Sequence, residues 1–216
     1  MTIGLFAAGM NVRWFMADAY TRFAENQSRF ADTRPAARQA AVLAQKLGFR
    51  DARALQALAQ SDLYSGQKAQ AWEEYERALE FAPADAFLWR DYALARLDLG
   101  LMDERLEHAV VQAQTLAPRS APLHLTLALA GLKVYGQSSP ALQARWLTSI
   151  RFTYLLQPGG LFYSAFVAGQ DLMLCQQVVP QSESNPWCIE ARWQHGLCQS
   201  SQDHTSCSMP ARAVPK

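Results

Sequence analysis

Residues 52–85 read ARALQALAQSDLYSGQKAQAWEEYERALEFAPAD, and the spacing of large, small and turn residues within them decides the fold. Leu55, Leu58 and Ala59 recur at the interval of one helical face, and Gly66 stops that helix. Ala71, Tyr75 and Ala78 form the inner stripe of a second helix, which Pro83 ends. The stretch therefore predicts a helical hairpin repeating at about 34 residues. The next segment restates the pattern with Trp89, Tyr92, Ala93, Gly100, Ala113 and Pro118, one extra residue lying between Gly100 and Pro118. Further on, Leu125, Ala128, Leu132 and Gly136 repeat a first helix, and the segment from Pro140 to Pro158 supplies a longer second one. One period back, Ala24, Ala37, Ala41 and Ala44 put small residues where helices pack closely.

Two clear repeats, 52–85 and 86–119, thus sit between two degenerate ones within residues 18–158. Around them the reading places an apolar N-terminal helix at 1–17, a cysteine-bearing helical cap at 159–198 and a disordered tail at 199–216. The expected fold is all-α, an α-solenoid of antiparallel helical pairs. Stacked pairs need about three units to bury a continuous core, and the count is sufficient.

These markers resemble the tetratricopeptide repeat. The resemblance implies a noncatalytic scaffold whose first helices line a concave groove, with ligand-facing side chains at set offsets. In the first clear repeat those offsets hold Arg53, Gln56, Gln60, Leu63 and Tyr64; in the second, Phe87, Arg90, Leu94, Leu97 and Asp98. Thr126, Ala130 and Lys133 follow in the third. Amide, guanidinium and aromatic groups in this mixture suit an extended protein or peptide partner. A self-associating helical module without a peptide ligand is the alternative. The Lys, Asn and Arg pattern with which some members of the family clamp a terminal carboxylate is absent.

Composition narrows the classes. Half of the 216 residues are apolar, enough for a sizeable core, and Gly and Pro fall between periodic segments. A net charge of +1 gives no electrostatic case for nucleic acid. The two clear repeats are acidic: ten carboxylates from Glu73 to Glu107 stand against Arg77, Arg90, Arg96 and Arg105, as a solvated face or as a surface that steers a basic partner. No P-loop, G-x-S-x-G, dinucleotide or H-E-x-x-H motif occurs, so no enzyme activity and no cofactor are expected. His108 and His124 read as structural or surface histidines, and the adjacent pairs Glu73–Glu74 and Asp103–Glu104 diverge around a helix instead of converging as an acid and a base.

The N-terminal MTIGLFAAGM is apolar but shorter than the roughly 20 residues that span a bilayer. It reads either as the distal end of a membrane anchor or as part of a buried first helix, whose face would comprise Val12, Phe15, Met16, Ala19, Tyr20 and Phe23.

All four cysteines, Cys175, Cys188, Cys198 and Cys207, lie in the last quarter. Leu161 to Val178 reads as one helix and Trp187 to about Leu197 as another, capped by Asn185 and Pro186. An antiparallel pair of this kind makes a Cys175–Cys188 bridge sterically reasonable and leaves Cys198 and Cys207 for a second, although four cysteines allow three pairings. Bridges would place the domain in an oxidising compartment such as the periplasm. A metal site built from Cys188, His195, Cys198, His204 and Cys207 has poor spacing, and none is expected.

RDYALARLDLG (90–100) and LTLALAGLKVYGQSSPALQARWLTSIRFTYLLQP (125–158) are similar to bacterial repeat proteins associated with surface polysaccharide production and export, with Trp146, Ser149, Ile150 and Pro158 the distinctive letters. In such proteins a membrane anchor precedes the repeats, which implies an inner-membrane-associated, periplasmic location; a cytoplasmic protein with reduced thiols is the alternative.

Overall fold

A computed structural model describes residues 2–28, 30–47 and 51–198, with side chains from residue 12 onward. Among these residues the chain is all-α, with eleven α-helices, one short 3₁₀ turn and no strand, and within each of its two units consecutive helices pack as neighbours, in a solenoid-like manner. It divides into two compact units between Leu101 and Met102, inside the second clear repeat. The expected tail, with His204 and Cys207, lies outside the described residues.

The first unit contains α1 (Thr2–Gln27), α2 (Arg34–Lys46), α3 (Ala52–Tyr64), α4 (Lys68–Phe81) and α5 (Ala86–Asp98). Helices α1 and α2 form one hairpin and α3 and α4 the next, and α3 also packs on α2 and α1. The sequence explains the close approach: Ala24, Ala40, Ala41, Ala57 and Leu58 form a cluster in which four of five side chains are a single methyl. Two of these helices start on an aspartate cap. Asp51 caps α3 by accepting from the Arg53 amide, and Asp85 caps α5 by accepting from the Phe87 and Leu88 amides. At the end of α3, Gly66 takes φ +79°, and the Gln67 amide reaches back to the Asp62 carbonyl at 2.8 Å.

Helix α1 corrects one expectation. Its buried face is Ala17, Thr21 and Ala24, whereas most of the proposed stripe is turned outward, Val12 being 62% and Phe15 73% exposed, with Tyr20 half-buried against the core. The physical reason is the alanine seam, since a helix that approaches α2 and α3 through methyl groups has no room for phenylalanine between the backbones. Residue 17 is also no boundary, because α1 continues to Gln27.

The second unit contains α6 (Glu104–Leu116), α7 (Ala121–Val134), a 3₁₀ turn at Tyr135–Gln137, α8 (Pro140–Leu156), α9 (Pro158–Val167), α10 (Asp171–Gln177) and α11 (Pro186–Gln194). Its most intimate contact is between α7 and α8. A Cβ added to Gly131 would stand 2.8 Å from the Cβ and Cγ of Trp146, whose indole is wholly buried and donates to Ser138 Oγ at 3.0 Å.

Here a second expectation is corrected, because 161–178 is two helices instead of one. Gly169 takes φ +66°, the Gln170 amide returns to the Ala165 carbonyl at 2.7 Å, and the chain restarts as α10 at Asp171. Helix α11 likewise stops at Gln194, three residues before Leu197.

Candidate functional site

In the first unit the residues expected to face a ligand stand on α3 and α5, and the structure shows what else they do. Arg53 lays a guanidinium fork on Glu25 of α1, with Nε to Oε1 at 2.7 Å. Ser28, just past the end of α1, donates to Gln60 Oε1 at 3.1 Å. Gln56 donates to Asp91 Oδ2 of α5 at 2.7 Å, and Arg90 holds the other oxygen of the same carboxylate. Three of the eight principal candidates, Arg53, Gln56 and Gln60, are therefore ties from α3 to its neighbours, and Arg90 holds from within α5 the carboxylate that Gln56 uses. Such pairing fixes rotamers before any partner arrives, which lowers the entropy that binding would cost.

The remaining candidates differ. Tyr64 is exposed, with the Arg34 guanidinium 4.9 Å above its ring; Phe87 is exposed, with Arg90 at the same distance. Leu94, Leu63 and Leu97 are half-buried and Asp98 is exposed. Thr126 and Ala130, half-buried, and Lys133, exposed, stand on α7 of the second unit. Behind this face a fork from Arg38 of α2 to buried Asp62 of α3 joins neighbouring hairpins.

In the second unit, Gln114 of α6 donates to Ser149 Oγ at 2.9 Å, and Ser149 lies 3.0 Å from His124 Nδ1. His124 Nε2 lies 3.0 Å from the Pro118 carbonyl. A carbonyl only accepts, so Nε2 carries the proton and Nδ1 accepts from the serine hydroxyl. This serine–histidine contact is internal: Ser149 is wholly buried and His124 is 2% exposed. It joins α6, α7 and α8.

Burial lowers the His124 pKa, against the opposing pull of the Pro118 carbonyl. The unfolded chain, with an ordinary imidazole near 6.5, takes up a proton first on acidification, so this contribution is present above about pH 6.5 and is lost as pH falls below it. Urea unfolding at pH 7.5 and 5.5 should show a smaller loss in His124→Gln than in the parent chain; equal losses would contradict the assignment.

Sequence reasoning missed a cleft of about 270 Å³ between α9 and α11, lined by Gly159, Phe162, Tyr163, Phe166, Trp187 and Glu190 among others. The Phe162 and Trp187 ring centroids are 4.7 Å apart with their planes tilted by 39°. The signal was there in the alternation of Phe162, Tyr163 and Phe166, but aromatic residues at helical spacing usually mean core. Here Tyr163 is 72% exposed. At the rim His195 Nε2 contacts the buried Asp171 carboxylate at 3.1 Å.

The cleft's walls are held by the Cys175–Cys188 disulfide, with Cα atoms 5.6 Å apart, which joins α10 to α11 as the antiparallel arrangement suggested. Buried Arg192 donates to the Ser182 and Glu183 carbonyls and fixes the loop that this bridge closes. Cys198 is also disulfide-bonded, so neither Cys188 nor Cys198 offers a thiolate. Among the described residues no three metal-ligating side chains gather. Nor is any helix among them long and apolar enough to cross a membrane.

Searched against models of protein families and against curated proteins, the chain matches none.

Proposed function

We propose that the chain is a noncatalytic protein-interaction scaffold of the tetratricopeptide type that holds a peptide segment against the first-helix face of its N-terminal unit. The observation that supports this reading is the pre-ordered row of Arg53, Gln56, Gln60 and Arg90 across α1, α3 and α5, flanked by the exposed rings of Tyr64 and Phe87. The test follows from which residues are free to act. Arg90→Glu would set a second carboxylate beside Asp91 and disturb the fold, so the informative variant is Tyr64→Ala with Phe87→Ala, which leaves every tie intact. In-cell crosslinking with mass spectrometry should lose a partner from this variant while its urea midpoint stays within about 1 kcal/mol of the parent's in free energy. Retention of all partners would refute the groove reading.

A second reading concerns α1. Its outward stripe of Val12, Phe15, Met16 and Phe23 favours either self-association or contact with a bilayer surface, and the disulfides favour an oxidising compartment. These features, with the resemblance of 90–100 and 125–158 to polysaccharide-associated repeat proteins, support the reading of an accessory factor in envelope polysaccharide production or export, on the periplasmic side of an inner membrane. Membrane fractionation of the parent chain and of Phe15→Glu, Phe23→Glu distinguishes the cases. A bilayer contact predicts release of the variant into the soluble fraction, and self-association predicts a smaller species by sedimentation.

A further inference from the structure

The cleft between α9 and α11 is aromatic and acidic, and it is independent of the proposed groove. Its walls are Phe162, Tyr163, Phe166 and Trp187, and its lining includes Glu190 and Asp171 but no Lys or Arg. Asp171 is engaged by His195. Gln194 donates to Glu190 Oε1 at 2.7 Å, and Oε2 has no partner among the described residues. Exposed aromatic faces beside one oriented, unneutralised carboxylate suit an extended, proline-containing segment that carries a cation, because a polyproline helix packs its rings on aromatic side chains with little further ordering cost.

The chain itself contains such a segment. Residues 209–216 read MPARAVPK, with two prolines, apolar Met209 and Val214, and the cations Arg212 and Lys216. It follows α11, which forms one wall of the cleft. Cys198 stands four positions beyond Gln194 at the cleft's rim, and fourteen further positions, up to about 46 Å of extended chain, separate it from Arg212. A tether of this length keeps the segment at a millimolar effective concentration, enough for a weak site to be filled.

We propose that residues 209–216 occupy this cleft in cis, with Arg212 on Glu190 and the prolines on the Trp187 and Tyr163 rings. The segment acts as a built-in occupant that any external ligand of the cleft must displace.

The test uses the full chain labelled with ¹⁵N and reads the indole resonance of Trp187, with buried Trp146 as the control for folding. Arg212→Glu should move the Trp187 resonance and leave that of Trp146 in place. The synthetic peptide SMPARAVPK should then return the Trp187 resonance of this variant towards its parent position, and should leave the parent chain unchanged because its site is filled. Glu190→Arg should reproduce the shift, and combining it with Arg212→Glu should reverse it. The proposal is overturned if Arg212→Glu leaves Trp187 unmoved. It is equally overturned if the peptide shifts parent and variant alike, the mark of an empty site for a separate partner, or if the parent resonance changes with protein concentration, the mark of a second copy. Should Glu190→Arg disturb Trp146, the comparison of Arg212→Glu with the parent decides alone, since that substitution lies outside the described helices.

Discussion

Trp146→Ala is expected to lower the unfolding free energy by about 3–5 kcal/mol. The side chain is wholly buried, the largest to be so among the described residues, and lies directly on the Gly131 backbone between α7 and α8. The cost has two parts: the lost transfer of a large aromatic group from water, and a cavity that two closely packed helices cannot collapse to fill. Ser138 also loses its indole donor, though its hydroxyl still donates to the Val134 carbonyl at 2.8 Å. The same contact makes a second, coupled expectation. Gly131→Ala drives a methyl into the indole and should cost about 1–3 kcal/mol alone, but much less once Trp146 has been replaced by leucine. Equilibrium urea unfolding of the two single variants and the double variant measures the coupling; additive losses would show that the glycine is not kept small by the tryptophan.

Removing the Cys175–Cys188 bridge by a double change to serine should cost about 3 kcal/mol, because the bond closes a short loop whose freedom in the unfolded chain then returns. The effect should be local. Helices α10 and α11 span seven and nine residues, too short to persist without tertiary support, so their amides should lose hydrogen-exchange protection first. Protection in α3 should be unchanged. Arg192 keeps its two carbonyl partners in this variant, and so Arg192→Met on the serine background should release the 178–185 loop entirely. Uniform loss of protection across both units would contradict the picture of a stapled end.

Helix positions were legible where the punctuation is strong. Gly66 and Gly100 and the alanines at 37, 41, 44, 59, 71 and 78 gave helix positions that the structure retains, because methyl spacing and left-handed turns are properties of the chain alone. The missed break at Gly169 is the same signal inside an otherwise periodic apolar run, where periodicity outweighed it. The inverted face of α1 has another cause: hydrophobic periodicity shows that a stripe exists but not which side the neighbours occupy, and here the alanines took that side. At the candidate site, residue types were readable but their partners were not. Nothing local to Arg53 or Gln56 reveals that Glu25 and Asp91, each about one period away, will engage them. Trp146, Ser149 and Ile150, which stood out as letters, are all core, so their distinctiveness reports packing between α6, α7 and α8.

The ties across α1, α3 and α5 also determine what may stand next to what. An alanine seam is nearly featureless and would accept a neighbour in several orders, whereas the pairs Arg53–Glu25 and Gln56–Asp91 accept one. If residues 52–85 were copied in tandem, the inserted hairpin would present Ala57 where Gln56 needs Asp91, and the second Arg53 would meet Ala59 in place of Glu25. The hairpins of this unit are thus individually addressed parts, not interchangeable modules, and lengthening the array by duplication would require new polar pairs at each junction.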